Sequence, residues 1–172
     1  NAIKIARQAT SRPAILCFTG AYHGRTMMAM TLTSKISYKY DCGPFAPEVY
    51  RLPFPNFYRY HGKRDMDEFV EDELKRLHES ALNLVDVKNV AAVIVEPIQG
   101  ASGFIPADYE FLLQLRKKCD TTGSLLVFDE IQTGFGRLGT LFAFQHFNIV
   151  PDILCIAKGM GGGMPIGAFI SS

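Results

Sequence analysis

The sequence predicts an α/β fold with a mostly parallel sheet, and three observations predict it. Short apolar runs of strand length alternate with longer stretches whose apolar residues recur at helical spacing. Those runs are apolar throughout, as in strands covered on both faces. Several end abruptly in a polar residue: Glu96, Asp129 and Lys158. In such sheets ligands sit beyond the carboxyl ends of the strands, so these three side chains are expected on one rim.

Each element can be justified in order. Ile3, Ile5 and Ala6 fall near one face of a helix already under way at residue 1, with no N-cap before it. Ala14–Phe18 lies between Pro13 and Thr19-Gly20 and suits a buried strand. Residues 26–33 are compatible with a short helix. Residues 34–64 are rich in Tyr, Pro and Phe and follow neither period, so they are expected to form a long, ordered loop. Helical spacing returns over 65–84, where Met66, Val70, Leu74, Leu77, Ala81 and Leu84 are expected on one face. Val90–Val95 reads as a strand ending at Glu96-Pro97. Residues 106–122 read as a helix, with Phe111, Leu112 and Leu115 inward and Gly123 as its C-terminal cap. Strands are expected at 124–128, 152–156 and Gly167–Ser171. The chain opens without Met and stops inside the last of these, so it is read as a piece of a longer protein.

Composition narrows the function. Of 172 residues, 48% are hydrophobic, enough for one sizeable core and too many for disorder. The net charge is +1 with no basic stripe, which argues against a nucleic-acid partner. No apolar run approaches the roughly 20 residues of a membrane-spanning helix. The 4 cysteines form no CxxC pair, which fits a reducing compartment, and the 4 histidines show no metal-ligand spacing. A generic nucleotide-binding domain would need a GxGxxG or P-loop after its first strand, and neither is present.

Lys158 follows an apolar strand and precedes Gly-Met-Gly-Gly-Gly, which predicts a half-buried lysine with backbone packed close to a ligand. Burial makes a lysine a better nucleophile toward aldehydes. Taken alone, it could equally be a lysine reaching to solvent from a strand end, and Asp129 a simple helix or turn cap. Together, an Asp at one strand end and a Lys at the next form the pair that pyridoxal-phosphate chemistry requires.

The run Leu-Leu-Val-Phe-Asp-Glu-Ile-Gln-Thr-Gly-Phe-Gly-Arg, followed by Pro-Asp-Ile-Leu-Cys-Ile-Ala-Lys-Gly, resembles the class III (ω-amino acid) aminotransferases, which include the 4-aminobutyrate and acetylornithine enzymes. Two further motifs of that family precede it in the expected order, Ala21-Tyr22-His23-Gly24-Arg25-Thr26 and Val95-Glu96-Pro97-Ile98-Gln99-Gly100. The resemblance covers essentially the whole chain. It implies a three-layer α/β/α PLP-dependent transferase (fold type I) large domain with a mostly parallel sheet, its final strand antiparallel. Residues 1–172 would be part of that domain, without the N-terminal segment that grips the phosphate and the small C-terminal domain.

The same resemblance implies roles. Lys158 would form the Schiff base with pyridoxal 5′-phosphate and later carry a proton, while Asp129 would pair with the pyridine nitrogen. Gln132 would contact the ring hydroxyl, Tyr22 would stack on the ring, and Glu96 would lie near the cofactor. Arg25 would receive a substrate carboxylate, a task suited to a planar guanidinium. His23 is given a structural role and no chemistry. The chain departs from the family at Ala101, where many members carry a glutamate that masks an arginine, which puts dual specificity for glutamate and ω-amines in doubt.

The expected activity is transamination of an ω-amino acid such as 4-aminobutyrate with a 2-oxo acid acceptor, by a cytoplasmic homodimer or one in an organellar matrix. An acetylornithine-type enzyme, an amino-acid racemase and a dialkylglycine-type decarboxylating transaminase remain alternatives within the enzyme class. A non-catalytic sensing module on the same fold is the alternative outside it, though it predicts loss of Lys158, Asp129 or Gln132, and all three are present. The 172-residue piece by itself is expected to bind the cofactor weakly and not to turn over.

Overall fold

A computed structural model describes residues 1–60 and 65–171. In chain order the elements are α1 (Ala2–Thr10), β1 (Ala14–Phe18), α2 (Met27–Leu32), β2 (Val49–Leu52), α3 (Met66–Leu84), β3 (Val90–Val95), β4 (Ile98–Gln99), β5 (Ile105–Pro106), α4 (Tyr109–Thr122), β6 (Leu125–Asp129), α5 (Phe144–Phe147), β7 (Ile153–Ala157) and β8 (Gly167–Ser171). Among the described residues the main sheet has 6 strands in the order β2-β1-β3-β6-β7-β8. All neighbours are parallel except β7 and β8, which run antiparallel.

Alternation along the strands divides the core in two. Ile15, Cys17, Ala92, Ile94, Val127 and Ile153 pack on one face against Ala2, Ile3 and Ala6 of α1. Leu16, Phe18, Val93, Val95, Leu126 and Phe128 face the other way, onto Phe111, Leu112, Leu115 and Cys119 of α4, with Leu74, Leu77 and Ala81 of α3 beside them. The result is the three-layer α/β/α arrangement. With both faces covered, all of β3 is buried. Full burial of a side chain such as Leu112 contributes about 1.5–3 kcal/mol. The α4 helix starts at Tyr109, later than residue 106, because Asp108 caps it by accepting from the backbone of Glu110 at 2.8 Å. It ends at Gly123 in the left-handed conformation (φ 69), as its position predicts.

The structure corrects the sequence reading at other places too. The stretch 34–64 is not all loop: β2 lies within it and pairs with β1 at the sheet edge, and 3-10 turns occur at Ile36–Tyr38 and Phe57–Arg59. Residues 61–64 of that stretch lie outside the described residues. On α3 the buried residues, Phe69 and Val70, lie near its start, Leu74, Leu77 and Ala81 pack half-buried against the core, and Met66 and Leu84 at its two ends are exposed. The β4–β5 pair and α5 were not foreseen; each is too short to show a period.

Candidate active site

The rim inferred from the sequence exists. Glu96 directly follows β3, Asp129 ends β6, Lys158 directly follows β7, and all three line one cavity of about 430 Å³. Tyr22, Arg25 and Gln132 line it too, so the structure brings together every site residue the sequence singled out. A larger cavity of about 680 Å³, beside Lys35, Arg59 and Arg76, contains none of them.

Asp129 is buried and held on both oxygens. Oδ1 accepts from the backbone N–H of Ile131 at 3.2 Å, and Oδ2 lies 2.7 Å from Nδ1 of His23. A carboxylate oxygen accepts, so the imidazole nitrogen donates. His23 is fixed in turn, its backbone N–H donating to Thr33 Oγ1 at 3.0 Å just past α2. His23 Nε2 is buried without a hydrogen-bond partner among the described residues. The sequence reading gave His23 no place in the site; only its position within the Tyr22–Arg25 motif hinted at one.

Glu96 is buried, and its oxygens accept from the backbone N–H groups of Tyr22 at 2.8 Å and Gly100 at 3.3 Å. Burial pushes its carboxyl above the ordinary range, while His23 and these N–H groups pull the other way. Glu96 therefore ties two cavity-lining loops together. The 100–104 turn is further fastened to the end of β1: Gln99 Nε2 donates to the Thr19 carbonyl at 2.9 Å, and Ser102 Oγ donates to the Gly20 carbonyl at 2.7 Å.

Lys158 is exposed, not half-buried as its apolar neighbours suggested. Its strand ends one residue earlier, and the 3-10 turn Lys158–Gly161 swings the side chain to the rim, where its Nζ donates to Oε1 of Gln132. The backbone of Lys158 is left-handed (φ 47), a conformation that costs a side-chain-bearing residue about 1–2 kcal/mol. The chain passes so close to Phe135 that a Cβ on Gly159 would lie 2.9 Å from the Phe135 Cβ.

Arg25 is exposed, its Nε donating to the Tyr22 hydroxyl at 3.3 Å, and the Tyr22 ring meets Tyr38 edge to face. Neighbouring Glu130, fully buried, does not reach the cavity. It accepts from the backbone of Ala143 at 2.5 Å and Phe144 at 2.8 Å, anchoring the loop that follows Asp129. Nothing in the residue pattern around Glu130 signalled this role.

A cavity of this size falls within the range of roughly 300–1,000 Å³ usual for small-molecule sites. It offers a buried carboxylate for a ring nitrogen, a lysine amine for an aldehyde, and an aromatic ring for a π-face. These residues fit pyridoxal phosphate, and fold and site together define a PLP-binding α/β domain. The aminotransferase class-III model matches residues 1–172, and the chain belongs to that family. It is 43% identical over 173 residues to the 4-aminobutyrate aminotransferase of Mycobacterium leprae, covering 98% of this chain and 38% of that protein. It is 42% identical over 171 residues to the 2-aminoadipate transaminase of Pseudomonas putida, covering 99% of this chain and 39% of that one. The PLP-bound structure of an amine transaminase from an uncultivated Pseudomonas species superposes with a TM-score of 0.90 at 34% identity, over 99% of this chain and 40% of that one. The chain thus spans about two-fifths of the relatives it matches.

Proposed function

We propose that the protein to which this chain belongs transfers the amino group of an ω-amino acid such as 4-aminobutyrate to a 2-oxo acid, using pyridoxal phosphate. One observation carries this reading: Lys158 and Asp129 open onto one cavity that Arg25 also lines. The activity named for the Mycobacterium leprae relative supports it, since 4-aminobutyrate carries its carboxylate remote from the amine.

Pyridoxal phosphate, when bound, supplies an electrophilic carbonyl and an electron-withdrawing ring. Asp129 holds the proton on the ring nitrogen, and the hydrogen bond from His23 fixes the carboxylate for that task. Lys158 Nζ would hold the cofactor by its carbonyl and would serve as the base toward the donor carbon. Gln132 orients that nitrogen. Tyr22 walls the site, and Arg25 grips the donor carboxylate through two parallel N–H bonds.

The test uses the full-length protein. A visible absorption band should form on adding pyridoxal phosphate, be abolished by Lys158→Ala, and be discharged by 4-aminobutyrate. Discharge by α-amino acids alone would overturn the ω-amino substrate, and absence of any band would overturn the cofactor reading.

A further inference from the structure

The 3-10 turn Ile36–Tyr38 carries none of the motifs above, yet it forms part of the cavity wall through Tyr38. The guanidinium carbon of Arg25 lies 5.4 Å from the centroid of the Tyr38 ring. That ring meets Tyr22 edge to face, with centroids 5.2 Å apart and planes at 73°, and the Tyr22 hydroxyl accepts from Arg25 Nε. The two terminal nitrogens of Arg25 engage in no hydrogen bond or ion pair among the described residues. The segment leading into the turn is pinned at Ser34 and at Lys35. The backbone N–H of Ser34 donates to the Ala21 carbonyl at 2.8 Å, and Lys35 Nζ donates to the Ala101 carbonyl at 2.7 Å.

An exposed arginine has many rotamers, and a carboxylate grip requires one. The face of an aromatic ring attracts a guanidinium and favours the orientation parallel to it. We propose that Tyr38 is a positioning residue that sets donor specificity: its ring holds the Arg25 guanidinium ready for the donor's remote carboxylate, with the terminal nitrogens left free. This inference rests on the transaminase reading above.

The experiment is a double-mutant cycle on the full-length holoenzyme, combining Tyr38→Leu with Arg25→Gln and adding Tyr38→Phe. Two quantities are read: KM and kcat for 4-aminobutyrate, and the Kd of butyrate, which has the carboxylate but no amine, by titration calorimetry. Tyr38→Leu should raise KM and the butyrate Kd together by roughly two- to fivefold, with kcat unchanged. Tyr38→Phe should restore both, and Tyr38→Leu should add nothing in the Arg25→Gln background. An undiminished effect in that background, a fall in kcat with KM unmoved, or no effect at all would overturn the proposal. If Arg25→Gln alone moves neither quantity, the carboxylate role of Arg25 fails and Tyr38's role fails with it. The butyrate pattern without turnover of 4-aminobutyrate would support Tyr38 and overturn the proposed substrate.

Discussion

His23 and Asp129, 106 residues apart in sequence, meet at 2.7 Å through Nδ1 and Oδ2 in a pocket that leaves both side chains buried. Folding brings the end of β6 under the loop that follows β1, and the bond forms where both chain segments are already fixed. A buried carboxylate without its donor retains the full cost of its desolvation.

His23→Ala should therefore cost about 1–3 kcal/mol of stability and weaken cofactor binding. His23→Asn, whose side-chain amide can donate from nearly the same place, should recover part of both losses. Urea unfolding and titration with pyridoxal phosphate check this in the full-length protein. If Asn proves no better than Ala, the ring's packing matters rather than its hydrogen bond.

Glu130 gives a signed pH dependence. Burial raises its carboxyl above the ordinary value of 4.5, against the backbone N–H groups that lower it. Above 4.5 the folded state keeps a proton that the unfolded chain has lost, so this group's contribution to stability falls as pH rises through the window. Glu130→Gln has no such slope. It also turns an NH₂ toward an N–H of Ala143 or Phe144, a mismatch of about 1–3 kcal/mol at the acidic end. Urea midpoints should show the variant less stable there, with the gap narrowing toward neutrality. A widening gap would contradict the burial argument.

Gly20 sits at φ +81, where an added Cβ would lie 2.5 Å from Ser102 Oγ and 2.6 Å from Gln99 Oε1. Gly20→Ala should cost about 1–3 kcal/mol from backbone strain alone. It should also loosen the 100–104 turn that lines the cavity. Thermal unfolding and cofactor affinity should fall together, and a stable variant with full affinity would show the turn is held by other means.

Glu96, Asp129 and Lys158 were legible because each interrupts or directly follows an apolar run, and a parallel sheet sends such residues to the same rim. The α4 boundaries were legible at Gly123 and less so at Asp108, since Pro106 precedes the true cap. Edge strand β2 was hidden: Val49-Tyr50-Arg51-Leu52 is short, half-buried over most of its length, and set among prolines and aromatics. Its pairing with β1 is non-local, and no period within it reports that. The contact between His23 and Asp129 was invisible for the same reason. The exposure of Lys158 depends on where β7 stops, which the run of apolar residues does not mark.

The left-handed backbone at Lys158 sets two selective pressures against each other at one position. Glycine would occupy φ 47 without penalty and asparagine with little, so folding by itself favours replacing the lysine. On the role proposed for Lys158 above, its chemistry is what keeps it there. Drift toward a more stable fold would erode activity first at this residue, so a relative that had lost its reaction would have a thermodynamic incentive to lose this lysine before its neighbours.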